Sequence, residues 1–170
     1  MRVSSIEAIF RALNSRGVSY LVVGGLAVNA HGYGRATFDI DLVVDLESAN
    51  IHALFEALSD LGYQPIVPVT AADFANDDLR ERWRADKGMV VLQFFSDQHR
   101  ATRVDVFAHA PFNFDEEYAK AMCEEVQDGV PVPFVALQTL IGMKEEAGRT
   151  KDLDDVESLR LLAAEADDEP

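Results

Sequence analysis

Apolar residues recur at helical spacing from the start of the chain. Ile6, Ile9, Phe10 and Leu13 fall on one face and predict an amphipathic helix over residues 4–16. The period then changes. Val18-Ser19-Tyr20-Leu21-Val22-Val23 is an apolar run closed by Gly24-Gly25, the pattern of a buried strand ending at a turn. A short helix through residues 26–32, a glycine-punctuated turn through 32–37 and a strong strand at Asp39–Asp45 come next. Ile51, Leu54, Phe55, Leu58 and Leu61 share a face and predict a helix over 48–61. Tyr63–Val69 reads as a further strand, whereas residues 70–86 are polar and carry no clear period. Met89–Phe95 and Thr102–His109 read as strands joined by the turn Ser96–Arg100, and residues 124–135 as a hairpin. Residues 135–147 and 151–165 read as two helices separated by Gly148-Arg149-Thr150.

Strands alternating with helices predict an α/β (or α+β) class, with a mixed central sheet flanked by helices and a C-terminal helical hairpin. The expected organisation is one domain, a core of residues 1–134 with residues 135–165 packed on it. A chain of 170 residues suffices for this. The apolar share of 48% and charged share of 26% are those of a soluble globular protein. The lone cysteine, Cys123, excludes a disulfide framework and a cysteine metal site, and fits a reducing cytoplasm. No apolar run approaches the roughly 20 residues of a membrane span, and the N-terminal helix lacks the apolar core of a signal peptide. The acidic end, residues 163–170, is expected to fray.

Charge is the unusual global property. A net charge of −15 opposes binding to nucleic-acid backbones. Residues 80–103 reverse the balance locally, with Arg80, Arg82, Arg84, Lys87, Arg100 and Arg103 against three acids. They read either as a solvated strand-and-loop surface or as a landing site for an anionic substrate or an acidic partner face.

Three elements carry candidate chemistry. A strand entering a helix through Gly24-Gly25 leaves unpaired N–H groups at the helix start, where phosphate is favoured; a glycine pair is also an ordinary turn. Asp39 and Asp41 alternate with Ile40, Leu42 and Val44, so both carboxylates share one strand face, roughly 6.6 Å apart. Such a pair either holds a hard cation, magnesium or manganese, or stands hydrated at an edge. Asp105 sits within the apolar run Val104–Phe107, as a third ligand or as the partner of Arg103 or Arg100.

Taken together, the diglycine, the thirteen residues 26–38, Asp39-x-Asp41 heading an apolar strand and a later strand aspartate resemble the DNA polymerase beta-like nucleotidyltransferase superfamily. The string from Gly24 to Val44 is similar to the bacterial minimal nucleotidyltransferases, including the abortive-infection (type IV toxin–antitoxin) group. The segment from Leu140 to Leu159 resembles that group's C-terminal helices. One departure is Gly25, where catalytic members often carry serine. The resemblance implies transfer of a nucleoside monophosphate from an NTP to an acceptor hydroxyl, with release of pyrophosphate. It implies that Asp39, Asp41 and Asp105 are catalytic and bind two Mg2+ (or Mn2+) ions, Asp105 holding the one shared with the acceptor. Phosphatases and glycosyltransferases with paired aspartates place the pair after an apolar strand, not before it.

The triphosphate also needs positive charge. Arg35 precedes Asp39, and Lys144 and Lys151 lie in the C-terminal helices, with Asp152 and Asp155 placed to hold the lysines. A bland account pairs Lys144 with a nearby glutamate and Lys151 with Asp154 or Asp155. His31 reads as a helix-end or core histidine. The acceptor, whether small molecule, protein or tRNA, is not specified by the sequence. The alternative function is a nucleotidyltransferase-like half of a toxin–antitoxin pair, acting by binding a partner protein from an adjacent gene.

Overall fold

A computed structural model describes residues 1–126 and 129–168. The tip of the expected 124–135 hairpin and the end of the acidic tail lie outside the described residues. Helix α1 (Val3–Ser15) buries Ile6, Ile9, Phe10 and Leu13, the face its periodicity predicts. Strand β1 (Tyr20–Val23) passes directly into α2 (Gly24–Ala30), and β2 (Asp39–Val44) is followed by α3 (Ser48–Asp60). Only Tyr63–Pro65 of the expected 63–69 strand forms β3.

Residues 70–87 form two helices. Thr70 and Asp73 make a reciprocal capping box that starts α4 (Ala71–Ala75). The Asn76 side chain caps α5 (Asp77–Lys87), which ends at Gly88 in the left-handed region. The basic run therefore begins on a helix and not on a strand or loop. Its charges are dispersed: Arg80 is buried against Phe74 and Asp77, while Arg84 pairs with Glu81 and Arg100 with Asp97.

Strands β4 (Val91–Ser96) and β5 (Arg103–Phe107), a short helix α6 (Phe114–Tyr118), and the pair β6 (Met122–Val126) and β7 (Val130–Phe134) come next. Helices α7 (Leu137–Ala147) and α8 (Thr150–Asp168) close the chain. Among the described residues the sheet has seven strands in the order β3-β4-β5-β2-β1-β7-β6. β2 runs parallel to β5 and antiparallel to β1, and β1 runs parallel to β7.

Beyond Asp41 the alternation of β2 ends, and Leu42, Val43 and Val44 are all buried, as in a central strand covered on both faces. α1 packs on α3, and α2 packs on β1, β2 and α7, with α7 against α8. Tyr20 stacks on Phe10, and Phe55 meets Phe94 edge-on at 5.1 Å. The antiparallel β1–β2 pair sets the end of β1 beside the beginning of β2, which brings the diglycine bend next to Asp41.

Candidate active site

The sheet register assembles the aspartates. Asp41 of β2 lies opposite Val23 of β1, the residue before the diglycine bend, and opposite Asp105 of β5 on its other side. Asp105 in turn faces Gln93 of β4. Asp39, two residues before Asp41, is on the same face and opposite Arg103. Two rows thus cross the strands, Val23–Asp41–Asp105–Gln93 and Asp39–Arg103.

The bend fits closely against this row. Gly24 adopts φ +66°, and a Cβ there would lie 1.9 Å from Asp41 Oδ2. The position therefore needs glycine for its backbone conformation and for the carboxylate's space alike. At Gly25 a Cβ would lie 2.5 Å from Thr37 Oγ1 and 3.1 Å from an Arg35 nitrogen. The place a Gly25 side chain would take is already filled by Thr37, which accounts physically for glycine at this position. The Gly25 backbone N–H favours the ionised Asp41 carboxylate, so the bend's backbone acts on the acid.

Burial pushes the Asp41 carboxyl up to about 6, and the charges of Asp105 and Asp39 push the same way; the Gly25 hydrogen bond and Lys144 oppose them. Asp105 is also raised by burial, against a hydrogen bond from Gln93 Nε2 to Oδ2 at 3.2 Å. Asp105 Oδ1 is buried and has no hydrogen-bond partner. Asp39 is differently placed, at a third exposed and 2.8 Å from Arg103 Nε.

These residues fit a hard divalent cation in their chemistry. Three carboxylates on adjacent strands repel one another, and one buried oxygen lacks any donor, both of which a cation would relieve. They do not form a closed cage: among the described residues no group of three or more His, Cys, Asp or Glu side chains stands in metal-holding geometry. Asp39, turned to Arg103, would have to leave an exposed ion pair, whose typical worth is only about 0–1 kcal/mol.

The basic side is organised by α8. Lys144 is buried, with Nζ 2.7 Å from Asp155 and 3.3 Å from Asp152. This replaces the bland pairing with a nearby glutamate. Asp155 also binds Arg35 at 2.6 Å, and Asp152 binds Arg149 at 2.5 Å. Burial would raise Asp152, but Arg149 and Lys144 outweigh it and hold the carboxyl below its ordinary value. Lys144 and Arg149 are both near enough to act on the charge of Asp41. Lys151 is exposed on the first turn of α8 and, among the described residues, forms no ion pair with Asp154 or Asp155. His31 Nε2 lies 2.8 Å from the Val135 carbonyl, a contact that ties α2 to the start of the C-terminal segment.

The register therefore brings Asp39, Asp41, Asp105, Gly24 and Gly25 together. The α8 network places Lys144 near Asp41 and ties Arg35 to the same aspartate, Asp155, while Lys151 stands apart. Two residues escape the sequence reading. Gln93 looks like an ordinary strand polar residue until its register against Asp105 is known. Arg149 had a signal, since Arg149-x-x-Asp152 is an ion-pair spacing at a helix start. Two surface clefts, of about 480 and 550 Å3, lie elsewhere, around Asp45, Asp77 and His109 and around Phe55, Tyr63 and Val67.

No protein-family model matches the chain, and no curated protein matches it by sequence. Solved structures do match. The lincosamide antibiotic adenylyltransferase LnuA, lincomycin-bound, aligns with a TM-score of 0.61 and 12% identity, over 94% of this chain and 96% of that one. ANT(2")-Ia, in complex with adenylyl-2"-tobramycin, aligns with a TM-score of 0.54 and 17% identity, over 95% of this chain and 94% of that one. At such identities the shared property is the fold, and it extends along nearly the whole of each chain. The fold of this chain is the mixed α/β nucleotidyltransferase fold that these two structures share.

Proposed function

We propose that the chain transfers a nucleoside monophosphate from an NTP to an acceptor hydroxyl and releases pyrophosphate. The observation that carries this reading is the pairing of Asp41 with Asp105 across parallel strands, beside the Gly24-Gly25 bend. In the reaction the acceptor oxygen bonds to the α-phosphorus, the bond to the bridging oxygen breaks and pyrophosphate departs. Asp41 and Asp105, joined by Asp39, would hold the divalent cation, magnesium or manganese. A cation held there would supply positive charge to the triphosphate and to the reacting oxygens. Asp105 Oδ1, which has no hydrogen-bond partner, would be the oxygen to take the hydroxyl proton or to face the cation. Arg35, Lys144 and Arg149 supply fixed positive charge on the α8 side, already oriented by Asp152 and Asp155. Most of the protein's contribution is positioning and electrostatics.

Small hydroxylated molecules are the first acceptor class to try. Lincomycin and adenylyl-2"-tobramycin are bound in two of the structural relatives, and a chain of net charge −15 disfavours tRNA. The experiment is incubation of labelled NTPs and magnesium with pooled antibiotics, proteins and tRNA, following both label transfer and pyrophosphate. Asp41→Asn and Asp105→Asn should each lose about a hundredfold or more in rate. Equal transfer by wild type and both variants would rule the site out.

A further inference from the structure

Resting on that reading, we infer that Gln93 is a positioning residue that divides the labour of the two Asp105 oxygens. Gln93 and Asp105 stand opposite each other on β4 and β5, and the amide nitrogen donates to Oδ2 at 3.2 Å. The other oxygen, Oδ1, is buried and has no partner.

A carboxylate has two equivalent oxygens and can rotate about its terminal bond. In water either oxygen serves. Here one is tethered by an amide, so rotation is arrested and Oδ1 alone is left for a cation or a proton. Asp105 itself is nine-tenths buried, so water cannot take the amide's place cheaply. The amide is neutral, which suits the task. A lysine or arginine would satisfy Oδ2 equally well, but its charge would compete with the cation for the same carboxylate. A glutamate would add a fourth acid to a crowded face. Partners that orient a metal-holding carboxylate in this way typically matter tenfold to a hundredfold to affinity or activity.

The neighbours of Gln93 separate its role from that of the strand. Phe95, two residues on, is well exposed and has no polar link to Asp105. A substitution there perturbs the same strand and leaves the amide in place.

The test uses the full-length protein and Mn2+ alone as the probe, with free Mn2+ read by electron paramagnetic resonance. Gln93→Met keeps the side chain's length and apolar stem and removes the donor. It should weaken Mn2+ binding about tenfold, while Phe95→Leu binds as wild type does. With NTP and saturating Mn2+, Gln93→Met should lower kcat and leave KM for the nucleotide unchanged, because among the described residues the amide's hydrogen bond is to Asp105 alone. Wild-type Mn2+ affinity in Gln93→Met would overturn the assignment, and so would equal weakening by Phe95→Leu. If Gln93→Met does not fold, Gln93→Asn, whose shorter amide falls short of Oδ2, replaces it under the same criteria. Mn2+ binding by wild type that survives Asp41→Asn with Asp105→Asn would overturn the underlying site reading instead, which keeps the two failures distinguishable.

Discussion

Asp41 joins the candidate chemistry to a cost in stability. Its carboxyl is raised by burial and by two neighbouring acids to about 6. The unfolded chain releases that proton near the ordinary value of 3.8, so between these pH values the folded state holds more protons. Stability therefore falls as pH rises through this window, by about 3 kcal/mol from this group alone. The metal-free protein should be more stable at pH 4.5 than at pH 7 as far as this residue decides. Asp41→Asn should flatten that segment of the profile and raise the neutral-pH melting temperature, while slowing transfer about a hundredfold or more. Denaturant unfolding across the pH range checks it; an unchanged slope in Asp41→Asn would show that the carboxyl is not strained. Beside it, Gly24→Ala should cost about 1–3 kcal/mol, because its φ of +66° disfavours any side chain and the new Cβ would strike the Asp41 carboxylate. Gly25→Ala should be milder in folding, since Thr37 can turn away, and chemical unfolding of the two variants side by side measures the difference.

At the scale of elements, α8 acts as a bracket. Its Asp155 ties Arg35 from the turn before β2 to Lys144 of α7, and its Asp152 ties Lys144 to Arg149. Removing the central cation leaves two buried carboxylates, each with one arginine remaining. Lys144→Met should therefore destabilise by about 3 kcal/mol, the lower end for breaking a buried pair. Asp155→Asn should destabilise less, because Lys144 keeps Asp152 and the quarter-exposed Arg35 can turn to water, and it should raise KM for the NTP by releasing Arg35 and loosening Lys144; equal KM in wild type and Asp155→Asn would dissolve the bracket. Which elements were legible in the sequence has the same physical basis. Helices α1 and α3 stand out because each buries a periodic apolar face, and strands β1, β2, β4 and β5 because each carries a short apolar run bounded by turn residues. Helices α4 and α5 do not, since Asp77–Lys87 is almost wholly polar and is held by end caps rather than by a face. Thr70-x-x-Asp73 and Asn76 carried the signals for them. The meeting of Asp41 with Asp105 was not readable from spacing at all. It depends on β5 joining β2 across more than sixty residues; the apolar surroundings of Asp105 left a third ligand as one of two readings, and the family resemblance favoured it.

For the molecule as a whole, the sheet's acidic face and the chain's net charge of −15 act in the same direction. Repulsion among thirty acids opposes compaction, so any added electrolyte should stabilise the protein somewhat by screening. A specific cation site predicts more than screening. Magnesium at a hundred times its dissociation constant should contribute about 2.7 kcal/mol, a rise in melting temperature on the order of 5–10 °C for a chain of this size. Sodium chloride at matched ionic strength should give only the screening part. The difference between the two salts is the useful quantity, because it cancels the general effect of net charge. It should vanish in Asp41→Asn with Asp105→Asn, although that variant keeps most of the acidic surface. It should persist in a variant that neutralises two remote acids such as Asp45 and Asp78, where screening changes by the same charge. A magnesium increment equal to that of sodium chloride in the wild type would mean that the carboxylates on β2 and β5 share a face without sharing an ion.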